Sequence, residues 1–284
     1  MKNIDLKEFA GKDVSVLLKK ADELSAGNLE GKIHAHKIYN ILLDDIPNIY
    51  DEKKLHVLRG LIRQKIWICE KSFFWNENFF SQFGQDKIIK NYFFHNKKNG
   101  FFVEIGAFNG ISGSNCFHFE KFLSWEGIAF EPSNIQYEKL KKNRNCHLIN
   151  KALAPEEKEV EFLEVEEGYT QMSGILGEKF ITEDTIKNDP RSKTNKILIT
   201  TTTFEKSVPP DKDIDYLSID IEGGEMELLD SIDFEKYSIK VISVENNSPE
   251  KINFKKFFDK LDFIYFDRVG QDEIFYNNNF FKLS

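Results

Sequence analysis

Several features that would point to a secreted, membrane-bound or zinc-binding protein are missing from this 284-residue chain. It has only three cysteines, at positions 69, 116 and 146, and their spacing gives neither a disulfide framework nor a zinc-binding pattern. No run approaches 18 consecutive apolar residues, and the first residues lack the apolar core of a signal peptide. These absences predict a cytoplasmic protein with reduced thiols and no membrane span.

Basic residues are also fewer than acidic residues in this chain. The chain has 39 Lys and Arg residues against 47 Asp and Glu residues, which gives a formal net charge of −8. Nucleic-acid-binding proteins usually present a basic surface, so this balance argues against a nucleic acid partner. The six histidines have no metal-like spacing, and the chain has no Gly-x-Ser-x-Gly nucleophile elbow, phosphate loop or Cys–His pair.

The first 80 residues are predicted to be helical. Apolar side chains recur at three- and four-residue spacings in 14–18, 38–43 and 55–66, and Asp51 is a candidate N-cap for the third helix. This N-terminal extension carries no set of reacting groups. It is interpreted either as a cap over an active site or as a surface for homodimerisation.

From Gly100 onward the pattern changes to short apolar strands separated by helical stretches. The alternation implies βαβ crossovers and a mostly parallel α/β sheet of Rossmann-like type. A terminal antiparallel hairpin is predicted from 263–266 and 273–276. The strands are expected at 101–105, 127–131, 146–150, 214–221 and 240–245, with helices at 113–123, 133–143 and 224–231.

Two segments interrupt this alternation. Residues 159–165 have a period of two, which suggests an exposed strand. Residues 168–195 are polar and irregular, and a loop of that length is usually functional or disordered. We interpret it as a lid or substrate loop, with disorder as the alternative, and take Tyr169 as a candidate substrate contact.

Residues 101–110 (FFVEIGAFNG) are the most informative segment, because a buried strand runs into an acid and a Gly-x-x-x-Gly turn. Gly106 and Ala107 would let the backbone approach a ligand closely. Glu104 stands where the dinucleotide fingerprint needs its first glycine, so a pyrophosphate ligand fits poorly. A ligand with a cationic amino acid end and a ribose fits better, and S-adenosylmethionine (SAM) is such a ligand.

Glu104 and Glu131 are predicted to hold the two ends of SAM. Glu104 ends the first core strand and is placed for the amino group, although it could instead cap the next helix. Glu131, followed by Pro132, ends the second strand, where a carboxylate can bind both ribose hydroxyls. Asn150 ends the third strand and can donate to and accept from adenine.

Residues 81–86 (SQFGQD) precede an apolar stretch that is predicted to be helical. Gln85 is placed to approach a ligand. The alternative is that this segment only caps the helix.

Residues 215–225 (DYLSIDIEGGE) place Asp220 at a strand tip, next to where a SAM methyl group would point. A carboxylate there can accept the proton that leaves an alcohol on methylation, or it can simply cap the following helix. Glu222, with Glu245 and Asn246 at the end of the fifth strand, brings further oxygen ligands to the same edge. These groups suit hydrogen bonds to a sugar; Mg²⁺ or Ca²⁺ is the less favoured alternative, and no metal ligand is assigned.

Four segments occur in an order that resembles the FkbM-type SAM-dependent methyltransferases: 81–86, 102–110, 130–132 and 218–223. The resemblance covers about residues 80–267 and implies a Rossmann-like methyltransferase domain, placed here at 81–284 after the extension at 1–80. It also implies O-methylation, often of sugar hydroxyls in surface polysaccharides or natural products. By that analogy Glu104, Gly106 and Glu131 hold SAM, and Asp220 and Glu222 lie near the acceptor. Ser218 stands where the family usually has lysine.

The predicted function is therefore SAM-dependent methylation of a sugar hydroxyl, on a free or nucleotide-activated sugar. Two other readings stay open. A nicotinamide-dependent oxidoreductase or epimerase would share the sheet and Glu131. A non-catalytic scaffold on a methyltransferase fold would bind SAM poorly and expose a large apolar patch.

Overall fold

The computed structural model describes residues 14–75, 77–177 and 191–281. Helices precede the first strand and then alternate with the strands. Helix α4 continues directly into a π-helical turn, Lys90–Phe94, and a short 3₁₀ turn spans Thr170–Met172. The α-helices are α1 Val14–Ser25, α2 Leu29–Asp45, α3 Lys53–Ser72, α4 Gln85–Ile89, α5 Phe117–Leu123, α6 Asn134–Asn143, α7 Phe204–Ser207, α8 Glu225–Asp230 and α9 Phe254–Phe258.

Ten strands are found among the described residues, and they form two sheets. The strands are β1 Phe101–Ile105, β2 Glu126–Phe130, β3 His147–Ile149, β4 Glu159–Glu167, β5 Gly174–Ile175, β6 Lys193–Thr200, β7 Ile214–Ile219, β8 Ile239–Glu245, β9 Phe263–Val269 and β10 Asp272–Asn277. The large sheet has seven strands in the order β3-β2-β1-β7-β8-β10-β9, and only β10 pairs antiparallel with its neighbours. The small sheet has the order β5-β4-β6.

The predicted α/β architecture is confirmed: a mostly parallel sheet, an antiparallel C-terminal hairpin and N-terminal helices. The central strands are buried on both faces, as helix-covered parallel strands require. In β7 every residue is buried, with Leu217 in the hydrophobic cluster on one face and Tyr216 in the cluster on the other. This rigid centre fixes the positions of the strand ends.

The three N-terminal helices share a hydrophobic core of their own, around Tyr39, Leu42 and Ile62. Asn28 caps α2 by accepting a hydrogen bond from the backbone N–H of Gly31. The expectation that Asp51 caps the third helix is wrong. That helix begins at Lys53, and Glu52 before it makes no capping side-chain bond.

A buried polar cluster joins these helices to the C-terminal hairpin. Glu273 on β10 is fully buried and accepts hydrogen bonds from Tyr50 (2.7 Å), Asn246 (2.7 Å) and Arg268 (3.1 Å). His56 of α3 lies 2.8 Å from the same carboxylate. The N-terminal helices are therefore attached to the sheet through polar as well as apolar contacts.

The segment between β3 and β7 differs from the expectation. The predicted exposed strand at 159–165 is β4, and its centre is buried: Phe162, Leu163 and Val165 are all at most 2% exposed. The predicted irregular loop at 168–195 contains β5 and the start of β6, which both pair with β4. Residues 178–190 of that loop lie outside the described residues.

The chain segment that forms the small sheet begins and ends at neighbouring positions of the main fold. Leu153, before β4, forms a parallel bridge with Thr202, after β6. The backbone N–H of Ala154 donates to Thr202 O at 2.9 Å, and that of Thr202 donates to Ala152 O at 2.9 Å. These bonds hold the two ends of the small-sheet segment side by side.

Of the helices that the structure describes, none has both the length and the apolar content needed to span a membrane.

Candidate active site

A cavity of about 1310 Å³ opens at the carboxyl ends of β1, β2, β7 and β8. Ligands of open α/β sheets bind at this edge, where strands end and loops begin. The cavity walls include seven of the residues predicted from the sequence: Gly106, Ala107, Glu131, Pro132, Asp220, Glu222 and Glu245.

The loop after β1 is shaped by its contact with the strand β7. Gly106 has φ +87°, and a Cβ atom there would lie 1.7 Å from the carbonyl oxygen of Asp220. The backbone N–H of Asp220 donates to Ile105 O at 3.0 Å. Glycine is thus needed here for backbone-to-backbone packing, whereas the sequence reading attributed it to the approach of a ligand.

Glu104 is not part of the cavity wall. It is 2% exposed, and its carboxylate accepts hydrogen bonds from Ser114 Oγ (2.6 Å) and Arg144 Nη1 (2.7 Å). The Arg144 side chain also donates to Glu120 at 2.6 Å. The structure therefore gives this acid internal partners, and its contact with a cofactor amino group stays a prediction.

Glu131 faces the cavity and is 6% exposed. Its two carboxylate oxygens accept hydrogen bonds from the backbone N–H groups of Phe108 (2.8 Å) and Ser133 (2.7 Å). Burial raises the pKa of Glu131 to about 7, in spite of these hydrogen bonds. The bonds fix the orientation of the carboxylate and leave lone pairs for a ligand.

Three acids lie close together at the ends of β7 and β8 in the cavity wall. Each of Asp220, Glu222 and Glu245 offers one carboxylate oxygen, and these three oxygens lie within 4.8 Å of one another. Burial, followed by the charge of Glu222, raises the pKa of Asp220 well above its ordinary value. Burial raises the pKa of Glu222 to about 7, and burial followed by Asp220 strongly raises that of Glu245.

The backbone after β7 turns sharply to present these acids. Glu222 has φ +58°, a left-handed conformation that few residues other than glycine adopt, and Gly223 and Gly224 continue the run of positive φ. Such strain in a non-glycine residue is common at functional sites.

Four other predicted residues lie off the cavity wall. Gln85 is 2% exposed, and its Oε1 accepts from the backbone N–H of Phe83 at 2.9 Å. Asn150 donates to the carbonyl of Glu131 at 2.8 Å, and Asn246 donates to Glu273 and is fully buried. Tyr169 is 47% exposed and stacks with Arg191, whose guanidinium lies 5.2 Å from the ring centre. Ligand contacts by these four residues stay predictions.

The sequence reading missed two groups of cavity residues. Residues 170–175 of the small sheet line the cavity, and Met172 packs against Leu163 of β4. The adjacent apolar pair Phe162 and Leu163, which breaks the period of two, was the signal for a packed strand. The second group comprises Gln136 and three lysines, Lys71, Lys151 and Lys251.

The chain is similar to known proteins in both sequence and structure. The family model described as the Methyltransferase FkbM domain matches residues 104–270, more than half of the chain. A solved structure, the methyltransferase FkbM from Methylobacillus flagellatus KT, is similar over 84% of this chain and 57% of that chain, with 10% identity and a TM-score of 0.42. The match thus spans little more than half the length of that protein. No curated protein matches the chain significantly.

Proposed function

Since the chain belongs to the FkbM methyltransferase family, we propose that it transfers the methyl group of SAM to a sugar hydroxyl. The observation that carries this proposal is the meeting of Glu131 and Asp220 in one cavity, at the ends of β2 and β7. In this proposal the carboxylate of Glu131 accepts hydrogen bonds from the ribose hydroxyls of SAM. The carboxylate of Asp220 accepts the proton that the acceptor hydroxyl loses.

SAM supplies an electrophilic methyl group on its sulfonium. In the proposed reaction the acceptor oxygen forms a bond to that methyl carbon while the carbon–sulfur bond breaks, which leaves S-adenosylhomocysteine. The acceptor proton passes to the carboxylate of Asp220. A buried carboxylate with a raised pKa is a better base than an exposed aspartate, provided that it is ionised when the acceptor binds.

The cavity also supports an acceptor with an anionic group, such as a nucleotide-activated sugar. Lys71, Lys151 and Lys251 line it from three separate segments, and none of them forms an ion pair with another described residue. Lys71 belongs to α3, so the N-terminal extension contributes to the cavity wall. This favours the cap interpretation of that extension over a role in dimerisation alone.

The first experiment is isothermal titration of the full chain with S-adenosylhomocysteine. We expect micromolar-range binding that Glu131→Ala abolishes. Glu126→Ala is the matched control, because Glu126 is exposed at the opposite end of the same strand. Absence of binding by the folded wild type would overturn the proposal and favour the scaffold reading. Stabilisation by NAD but not by S-adenosylhomocysteine in a thermal-shift assay would favour the oxidoreductase.

The acceptor is then tested with radiolabelled SAM and paired panels of nucleotide-sugars and the corresponding free sugars. We expect methyl transfer to a sugar hydroxyl, and faster transfer when the sugar carries its nucleotide. Asp220→Asn should keep the affinity for S-adenosylhomocysteine and lose turnover by a factor of about 10² or more. Turnover like that of the wild type would remove Asp220 from the role of base.

A further inference from the structure

The three acids at the acceptor end of the cavity come from the ends of two neighbouring strands. Asp220 and Glu222 follow β7, and Glu245 is the last residue of β8. One carboxylate oxygen from each lies within 4.8 Å of the other two. Two oxygens bound to a single Ca²⁺ at about 2.4 Å are at most about 4.8 Å apart, so this spacing falls within the range found around one ion.

Two buried oxygen atoms of the cavity wall, one of them in Glu245 of this cluster, lack the hydrogen bonds that buried polar atoms normally make. Glu245 Oε2 is buried and has no hydrogen-bond partner among the described residues, and the same is true of Gln271 Oε1. Both side chains line the same cavity as the acids. A buried acceptor without a donor is costly, so each of these oxygens points to a missing positive or donating group.

The charges around the cluster also favour a bound cation. Asp272 and Glu225 add two further carboxylates near Asp220. Gln271 is neutral, and none of the cavity lysines forms an ion pair with the three acids. One divalent cation would offset the repulsion between like charges at this spacing.

We propose that Asp220, Glu222 and Glu245 bind one divalent cation of the oxygen-preferring class that includes Mg²⁺, Mn²⁺ and Ca²⁺. Carboxylate oxygens are among the ligands that these ions prefer. The remaining positions around the ion are open to water or to the acceptor. This inference rests on the proposed function for its catalytic meaning: a metal-bound hydroxyl ionises more easily, so the ion would help the acceptor hydroxyl to lose its proton.

The test measures metal binding directly, without SAM, acceptor or turnover. Mn²⁺ is titrated into the full chain while the free ion is followed by electron paramagnetic resonance, and Mg²⁺ and Ca²⁺ are then added as competitors. We expect one Mn²⁺ ion per chain, displaced by at least one of the competitors. Glu245→Gln and Glu222→Gln should each weaken binding at least about tenfold.

Glu227→Gln is the matched control, since Glu227 lines the cavity but lies outside the three-acid cluster. It should bind Mn²⁺ like the wild type. A second readout is thermal stability in the absence of metal, where Glu245→Gln should raise the melting temperature by removing one repelled buried charge. The same variant should lose the stabilisation that Mn²⁺ gives to the wild type.

Two results would overturn the proposal: no stoichiometric Mn²⁺ binding by the wild type, or equal weakening by Glu227→Gln and Glu245→Gln. Titration with S-adenosylhomocysteine on the same samples separates this failure from that of the proposed function. Normal S-adenosylhomocysteine binding without Mn²⁺ binding would refute the metal site and leave the methyltransferase proposal standing. Mn²⁺ binding without S-adenosylhomocysteine binding would refute the methyltransferase proposal and leave the metal site standing.

Discussion

His56 Nε2 lies 2.8 Å from the carboxylate of Glu273, and this contact joins two side chains that are 217 positions apart in the chain. Both side chains are fully enclosed. The contact connects the third N-terminal helix to β10, the strand next to β8. Because Asn246 donates to the same carboxylate, the end of β8 beside the acid cluster is held by the N-terminal helices.

We expect His56→Ala to lower the free energy of unfolding by about 2–4 kcal/mol, since it leaves a cavity and removes a partner from a buried carboxylate. Urea denaturation measures the change. His147→Ala, at an exposed position, should change it by less than about 0.5 kcal/mol. Equal effects of the two substitutions would show that the buried contact contributes nothing.

The substitution Gly106→Ala should destabilise the protein in two ways, through an unfavourable left-handed backbone conformation and through a steric collision. Gly113→Ala isolates the first of these. A Cβ at Gly106 meets the Asp220 carbonyl at 1.7 Å, whereas a Cβ at Gly113, whose φ is +78°, meets nothing within 4 Å. Gly113→Ala should therefore cost only the left-handed backbone term of about 1–2 kcal/mol. Gly106→Ala should cost at least about 2 kcal/mol more, or prevent folding, because backbone must move. Similar melting temperatures for the two variants would contradict the collision.

Glu104→Gln tests whether this acid serves the fold or the cofactor. We expect it to destabilise the protein by about 3–5 kcal/mol, because it removes one of the two carboxylate partners of the buried Arg144 guanidinium. The affinity for S-adenosylhomocysteine should change by less than about threefold, as the acid does not line the cavity. An affinity loss as large as that of Glu131→Ala would return Glu104 to the cofactor site.

The affinity for S-adenosylhomocysteine should depend on pH through Glu131. Burial raises the pKa of Glu131 to about 7, and ribose hydroxyls donate to the ionised form. Affinity should thus rise about tenfold between pH 6 and pH 8, as the carboxylate loses its proton. Calorimetry across this range should give a flat profile for Glu131→Gln. Glu222→Gln should keep the slope, although the pKa of Glu222 is also raised to about 7; a flat profile in that variant would assign the dependence to Glu222.

The sheet and its strand ends could be predicted from the sequence because the signal is local. Residues 101–105 are apolar enough to identify a buried strand, and Gly106 marks where it ends. The rule that ligands bind at the carboxyl edge then places Glu131, Asp220 and Glu245 together without further information.

The partners of the buried acids could not be predicted, because they depend on contacts between distant segments. Nothing in the sequence near Glu104 indicates that Arg144, 40 positions later, occupies its carboxylate. The same applies to Glu273, whose partners Tyr50, in the turn before α3, and His56, in α3, lie in a segment that carries no reacting groups. The strand at 159–165 was predicted, but its partners β5 and β6 were missed because the polar, irregular sequence of 168–195 indicated a loop.

The bridge between Leu153 and Thr202 has a consequence for how this fold can change. The two ends of the segment between these residues lie side by side, so a change in its length leaves the spacing of its ends unchanged. Residues 170–175 of that segment form part of the cavity wall. Exchange of the segment between relatives, with the joints at 153 and 202 and with Glu164 retained as the partner of Ser133, would test whether this part of the wall determines which acceptor is methylated.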